Sequence, residues 1–153
     1  MSKEILLISA CLVGENVKYD GGNNLIDELE KLKEHFELQY ICPEVQGGLT
    51  IPRLPCEITS FSPLKIENEY GIDLKDHFID GSKIALELAQ RLGIKYALLK
   101  SKSPSCGNDK IYDGTFSGNL IDAMGITAKT LHDHGIKVFN ENQIEKLYEY
   151  IKQ

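Results

Sequence analysis

Short apolar runs alternate with helix-like periodic segments along this sequence, and that alternation constrains the fold more than any other feature. Residues 5–8 form a continuous apolar run, which is typical of a strand buried on both faces of a sheet. We predict strands at 5–8, 38–41, 96–99 and 136–139, and helices at 25–37, 73–92, 127–134 and near 144–151. Such alternation favours parallel pairing, with helices on both faces of the sheet. The expected architecture is an α/β fold, a Rossmann-like three-layer sandwich around a mostly parallel sheet of about four or five strands.

Residues at the predicted helix ends support two of these helices. Asn24 precedes the helix at 25–37, and Asp73 begins the helix at 73–92; short polar side chains are favoured where helices begin. Gly93 follows the second helix, and glycine commonly ends helices. The 153 residues contain no internal repeat and no linker, so we predict a single domain spanning 1–153.

Two long segments interrupt the alternation. Residues 42–73 hold four of the five prolines, and residues 101–126 are rich in glycine and serine. Loops of this length in a compact domain usually have a functional role. We therefore expect these two segments to contribute to a functional site.

Composition and charge narrow the class of partner. The formal net charge is -6, which argues against a nucleic-acid backbone as the main partner because proteins that bind it are usually basic. No apolar run approaches the ~20 residues of a membrane span. The apolar stretch at 5–10 is shorter than the ~7–15 residues of a signal-peptide core. We expect a cytoplasmic protein that binds neither membrane nor nucleic acid; the sequence does not indicate an oligomeric state.

Three of the four cysteines follow predicted strands. Cys11 follows the first strand, Cys42 directly follows the second, and Cys106 lies in the loop after the third. Parallel strands end at one edge of a sheet, where open α/β folds bind ligands. We therefore expect these three thiols to meet, although any one of them alone could be an inert buried residue. Cys56 follows no predicted strand, and we interpret it as a bystander.

Three convergent thiolates suit either an iron–sulfur cluster or zinc. A [4Fe-4S] cluster usually takes four cysteines, so three would leave one iron open, and an open metal position is typical of catalytic sites. A zinc-dependent hydrolase with a three-cysteine site fits nearly as well, although the spacing shows no zinc-motif pair. A non-enzymatic carrier of clusters or sulfur, a redox sensor, and a binding domain with buried thiols also stay open.

Polar residues near the cysteines are candidates for the remaining chemistry. Glu44 is a candidate for acid–base work, with a solvated loop carboxylate as the alternative. Ser103 and Ser105 precede the third cysteine, but serines beside a proline also form turns for local reasons. Asn16 follows the first cysteine and is a candidate pocket residue. Arg53 is a candidate for binding an anionic or carbonyl group, or for pairing with Glu57.

Seven short blocks are distributed over nearly the whole chain. They are SACLVG at 9–14, YDGG at 19–22, CPEV at 42–45, GGL at 47–49, PR at 52–53, SPSCG at 103–107 and YDGTFSG at 112–118. In this order they resemble the blocks of the family once known as DUF523, whose characterised members are thiouracil desulfidases.

The resemblance implies a cofactor and a reaction. The cofactor is a [4Fe-4S] cluster held by three cysteines, which match Cys11, Cys42 and Cys106, with the fourth iron open to the substrate sulfur. The implied reaction converts a thiolated nucleobase, or a related small thiocarbonyl compound, to its oxo form. In the simplest case thiouracil becomes uracil and sulfide, without net redox change.

The resemblance also implies two catalytic side chains, which match Glu44 and Ser103. We expect Glu44 to act as a general base or proton shuttle, and Ser103 to position the substrate or relay a proton. Asn16, Arg53 and Ser105 are the expected substrate contacts. The expected partner is therefore a small thiolated molecule.

Overall fold

The structure, a computed structural model, describes residues 3–152. Its strands are β1 (Glu4–Ser9), β2 (Phe36–Ile41), β3 (Cys56–Phe61), β4 (Leu64–Asn68), β5 (Tyr96–Leu99), β6 (Lys110–Tyr112), β7 (Leu120–Asp122) and β8 (Lys137–Asn140). Its α-helices are α1 (Leu29–His35), α2 (Pro43–Gln46), α3 (Lys75–Leu92), α4 (Ile126–Asp133) and α5 (Ile144–Ile151), and a 3-10 helix spans Ala10–Val13.

Four strands form a central sheet in the order β2-β1-β5-β8, and every neighbouring pair is parallel. All four strands therefore end at one edge. The chain passes from β1 to β2 on one side and then crosses to β5 on the other side of β1. This reversal creates a topological switch point between β1 and β5, where open α/β sheets bind ligands. The predicted α/β fold around a parallel sheet is confirmed, with four strands.

The side chains of β1 alternate between two apolar layers. Leu6 and Ile8 pack with α1 and α5 on one face, and Leu7 packs with α3 and α4 on the other. All three side chains are completely buried. Burying a leucine or isoleucine side chain contributes about 1.5–3 kcal/mol. The apolar run of β1 thus holds both helical layers and produces the three-layer arrangement.

The two long segments contain secondary structure that the sequence did not predict. Residues 42–73 include α2 and the antiparallel hairpin β3–β4, and residues 101–126 include the antiparallel hairpin β6–β7. Polar and charged residues interrupt these strands, so none of them forms a continuous apolar run. Their inner side chains join a third apolar cluster around Phe78 of α3, which is completely buried. Packing on α3, rather than local pattern, therefore organises both hairpins.

The first helix is shorter than predicted. It was expected at 25–37 with Asn24 as its cap, but α1 begins at Leu29 and ends at His35. Leu25, which lies outside the observed helix, is 59% exposed. Phe36 already pairs with β1 and is buried there. Strand pairing and burial thus outweigh helix propensity at the end of this segment.

The other predicted elements agree with the structure to within about two residues, which is ordinary scatter at element ends. Asp73 Oδ1 accepts the backbone N–H of Lys75 at 3.0 Å, and Gly93 ends α3 with a φ of 67°. Leu92, the last residue of α3, is exposed. Within residues 3–152, no helix combines the length and apolar character needed to cross a membrane.

Candidate functional site

A cavity of about 430 Å³ lies beyond the carboxyl ends of β1, β2 and β5, beside the switch point. Cys11, Cys42 and Cys106 all line it. Cys11 lies in the 3-10 helix after β1, Cys42 lies between β2 and α2, and Cys106 lies in the loop after β5. Parallel strand order therefore brings together three thiols that are distant in sequence.

Cys11 and Cys42 are half-buried and Cys106 is buried, and each thiol has its own hydrogen-bonding neighbour. Burial raises the pKa of Cys11, and a hydrogen bond from the Asn24 side chain offsets part of the rise. Burial also raises the pKa of Cys42, offset in part by backbone N–H groups of α2. Burial raises the pKa of Cys106, which the Ser9 hydroxyl partly offsets. Burial thus favours the neutral form of each thiol. Binding of a metal centre would convert all three to thiolates.

Helix α2 is held against α3 by close backbone contact. A Cβ atom at Gly47 would overlap the carbonyl oxygen of His77, and one at Gly81 would overlap the carbonyl oxygen of Pro43. Only glycine permits so close an approach. Pro43 begins α2, where its restricted φ suits the first helical position. These contacts fix the short helix that carries Glu44.

Glu44 lies on the cavity wall beside Arg53. Arg53 Nη2 is 3.3 Å from Glu44 Oε2, and the two side chains are 8% and 21% exposed. The guanidinium also donates to the carbonyl oxygens of Thr50 at 3.0 Å and Val17 at 3.1 Å, which holds it in place. Burial raises the pKa of Glu44, and the charge of Arg53 opposes part of that rise. A carboxyl group with a raised pKa is suited to both accepting and releasing a proton.

Ser103 lines the cavity, whereas Ser105 does not. Ser103 Oγ accepts the backbone N–H groups of Ser105 at 2.9 Å and Cys106 at 3.0 Å. Because the oxygen acts as acceptor in both bonds, the hydroxyl proton stays available to a cavity partner. Ser105 is completely buried, with its hydroxyl 2.8 Å from that of Thr127. Its expected contact with substrate is therefore not supported, because its hydroxyl joins the cysteine loop to α4.

Asn16 also lies outside the cavity wall. It is exposed, and its Oδ1 accepts a hydrogen bond from Asn23 at 2.9 Å. Its expected substrate contact is likewise not supported. Asn24 lines the cavity instead, and its backbone N–H donates to the Cys11 carbonyl at 2.9 Å. Sequence analysis missed this role because a polar residue before a helical pattern predicts a cap.

Lys100 and Glu141 form a second ion pair at the site, and Lys100 lines the cavity. Lys100 Nζ lies 2.9 Å from Glu141 Oε2. The same carboxylate accepts the backbone N–H and the hydroxyl of Ser101, each at 2.8 Å. Lysine and glutamate are common on protein surfaces, so neither residue stands out in the sequence. The one available signal was that Lys100 directly follows a strand.

Cys56, interpreted from the sequence as a bystander, is buried and lines the cavity. Burial raises the pKa of its thiol to about 11. The next residue, Glu57, lines the cavity as well, and its Oε1 accepts the backbone N–H groups of Gly114 at 2.9 Å and Phe116 at 3.2 Å. Glu57 thus holds the turn between β6 and β7 against β3.

The donor set at the cavity consists of thiols, which both iron–sulfur clusters and zinc bind. All four cysteines are free thiols, and three of them follow the strands that end at the cavity. Within the described residues, no three His, Cys, Asp or Glu side chains are grouped to hold a metal ion. In an iron–sulfur cluster the cysteines bind different iron atoms, so their sulfurs need not converge on one point. The three thiols that line the cavity are donors of the kind that such a cluster takes.

Comparison with known proteins identifies the family. A family model described as 2-thiouracil desulfurase matches residues 6–143, and this chain belongs to that family. Among solved structures it resembles the [4Fe-4S]-dependent thiouracil desulfidase TudS, with a TM-score of 0.91 and 39% identity over 98% of this chain and 99% of that one. It is also 33% identical to the uncharacterized protein YbbK of Bacillus subtilis (strain 168) over 150 residues, which is 94% of this chain and 99% of the relative. The family expected from the sequence blocks is confirmed.

Proposed function

We propose that this protein is a [4Fe-4S]-dependent desulfidase that removes sulfur from thiouracil or a related small thiocarbonyl compound. The observation that carries the proposal is the convergence of three thiols and the shielded carboxyl of Glu44 on one cavity of about 430 Å³. The named activity of TudS, 39% identical to this chain, supports it. In the net reaction a water oxygen bonds to the thiocarbonyl carbon, the carbon–sulfur bond breaks, and sulfur leaves as hydrogen sulfide. No electrons are gained or lost.

Cys11, Cys42 and Cys106 would hold the cluster and leave one iron without a protein ligand. When bound, such a cluster supplies a Lewis-acidic iron, which suits a sulfur donor. The cavity volume lies within the range typical of small-molecule sites, about 300–1,000 Å³. The cluster would occupy part of this volume, so we expect a small substrate, such as a free base or a molecule of similar size.

Glu44 is assigned the proton transfers. As a carboxylate it accepts a proton from the water whose oxygen attacks the thiocarbonyl carbon. As the resulting carboxylic acid it returns that proton to the departing sulfur. The shielding that raises the pKa of Glu44 favours this exchange, and the neighbouring Arg53 keeps the carboxylate accessible as the resting form.

Ser103 and Arg53 are assigned to orientation. The Ser103 hydroxyl, whose oxygen is engaged by two backbone N–H groups, donates its proton to a nitrogen or oxygen of the substrate. Three contacts of the Arg53 guanidinium are with Glu44 and two backbone carbonyls, so its first role is to hold the general base. Its remaining N–H groups are those available to a substrate carbonyl.

The test begins with anaerobic purification and reconstitution of the full chain with iron and sulfide. We expect equal amounts of iron and acid-labile sulfide, and release of sulfide from a panel of thiolated pyrimidine bases. Cys11→Ser, Cys42→Ser and Cys106→Ser should each abolish cluster assembly. Cys56→Ser is the matched control, because it also removes a cavity thiol but should retain the cluster.

Two other outcomes would overturn the proposal. Zinc without acid-labile sulfide, together with turnover, would indicate a zinc-dependent hydrolase. A complete cluster without sulfide release from any thiolated base would indicate a carrier of clusters or sulfur. The Glu44–Arg53 pair favours the enzyme, because a carrier has no need of a positioned acid–base group.

A further inference from the structure

We propose that the Ser9 hydroxyl donates a hydrogen bond to Cys106 as a cluster ligand and thereby tunes the reduction potential and retention of the cluster. This inference rests on the proposed function, since it requires a cluster on Cys106. Ser9 is the last residue of β1 and is 3% exposed. Its Oγ lies 3.6 Å from Cys106 Sγ, although 97 positions separate the two residues in sequence.

The direction of this hydrogen bond follows from a second contact of the same oxygen. The backbone N–H of Lys100 donates to Ser9 Oγ at 2.9 Å. The oxygen is therefore the acceptor in that contact, and a serine hydroxyl carries only one proton. Because Ser9 is buried, bulk water does not compete for that proton. The hydroxyl proton of Ser9 is therefore directed at Cys106 Sγ.

The sheet sets this geometry. β1 and β5 are parallel neighbours, with Ile8 opposite Leu98. Ser9 and Lys100 continue the two strands beyond that pair, and the Ser9 side chain takes the Lys100 N–H where the regular ladder ends. Ser9 thus extends the hydrogen bonding between β1 and β5 at the switch point. Its hydroxyl also lies against the thiol of Cys106, in the loop that follows β5. Rigid support of this kind is typical of residues that orient metal ligands.

The chemical consequence is a change in the electron density on a ligand sulfur. A hydrogen bond to a cysteine sulfur withdraws negative charge from it, which favours the reduced cluster and raises the reduction potential. A purely structural Ser9 would only satisfy the Lys100 N–H. Losing that role would lower the stability of the fold but would leave the potential of an assembled cluster unchanged.

The experiment compares reconstituted Ser9→Ala with the parent protein. The midpoint reduction potential is measured by a spectroscopically monitored titration, the iron–sulfur stretching frequencies by resonance Raman, and cluster retention by the rate of iron loss to a chelator. We expect Ser9→Ala to show a lower potential, a higher stretching frequency and iron loss several-fold faster. Ser105→Ala is the control, because it removes a buried hydroxyl beside Cys106 that bonds to Thr127 instead of to a thiol. Its potential should equal that of the parent.

A second pair of variants tests the same inference if Ser9→Ala does not fold. Ser9→Thr retains the hydroxyl and Ser9→Val replaces it with a methyl group of similar size, so only Ser9→Thr should keep the parent potential. Equal potentials in the hydroxyl-bearing and hydroxyl-free proteins would overturn this inference alone. Failure of the parent protein to assemble a cluster would overturn the proposed function, and this inference with it.

Discussion

The Arg53 guanidinium lies 3.3 Å from the Glu44 carboxylate in the wall of the cysteine-lined cavity. Two backbone carbonyls, those of Val17 and Thr50, hold the guanidinium in this position. Burial raises the pKa of Glu44, and the arginine opposes that rise. The protonation state of the proposed general base therefore depends on the balance between its burial and the charge of Arg53.

Replacing Arg53 should alter the pH dependence of turnover. Arg53→Gln removes the positive charge that favours the carboxylate, so the pKa of Glu44 should rise further. The base form would then be lost at a higher pH, and the acidic limb of the kcat/KM profile should move upward in pH. Arg53→Lys retains the charge and should give a smaller shift. An unchanged pH profile in Arg53→Gln would show that this arginine does not influence the pKa of Glu44.

Glu44→Gln should remove acid–base catalysis while preserving the cofactor. We expect turnover to fall by roughly 100-fold to 10,000-fold, the usual contribution of a general acid–base group. Iron and sulfide content should equal that of the parent, because Glu44 is not a proposed ligand. The exposed Glu69→Gln serves as control for the change of charge. Parent-like turnover in Glu44→Gln would exclude Glu44 from the mechanism.

Ser103→Ala should affect both stability and activity. It removes the acceptor of two backbone N–H groups in the turn before Cys106, and we expect the free energy of unfolding to fall by about 1–3 kcal/mol. Chemical denaturation measures this loss, and sulfide release measures the loss of the hydroxyl donor. Ser103→Thr, which keeps the oxygen, should recover most of the stability. Unchanged stability in Ser103→Ala would show that these bonds do not support the turn.

Glu57→Ala should loosen the turn between β6 and β7. Its side chain accepts two N–H groups of that turn, and a typical intramolecular hydrogen bond contributes about 0.5–1.5 kcal/mol. Amide hydrogen exchange at Gly114 and Phe116 should become faster. Lys65→Ala, an exposed position on β4, is the control and should not change exchange there. Equal exchange in both variants would contradict the assigned role of Glu57.

Gly81→Ala should displace α2 from α3. The added methyl group would overlap the carbonyl oxygen of Pro43, and overpacking of this kind typically costs about 1–3 kcal/mol. Because α2 follows Cys42 and carries Glu44, cluster incorporation should fall together with the free energy of unfolding. Lys83→Ala, exposed on the same helix, should change neither quantity. Full stability and full cluster content in Gly81→Ala would show that this contact is dispensable.

Local pattern was sufficient for most of the central architecture. The four sheet strands and helices α3, α4 and α5 were predicted to within about two residues, because burial on both faces leaves continuous apolar runs and helical packing leaves a periodic stripe. Parallel order then predicted that cysteines after successive strands would meet. The hairpins at 56–68 and 110–122 were not predicted, because polar residues interrupt their strands and their apolar side chains pack in a cluster around Phe78.

The sequence by itself determined the parallel strands whose ends bring the thiols together, the family blocks, and the presence of a carboxylate and a serine beside the cysteines. Only the tertiary structure decided which polar side chains face the cavity. It turned Asn16 to solvent and Ser105 into the interior, and it brought Asn24 and Lys100 to the cavity wall. The physical reason is that a loop side chain's direction depends on hydrogen bonds to partners distant in sequence, such as the bonds of Ser105 to Thr127 and of Ser9 to Cys106. No local pattern encodes those partners.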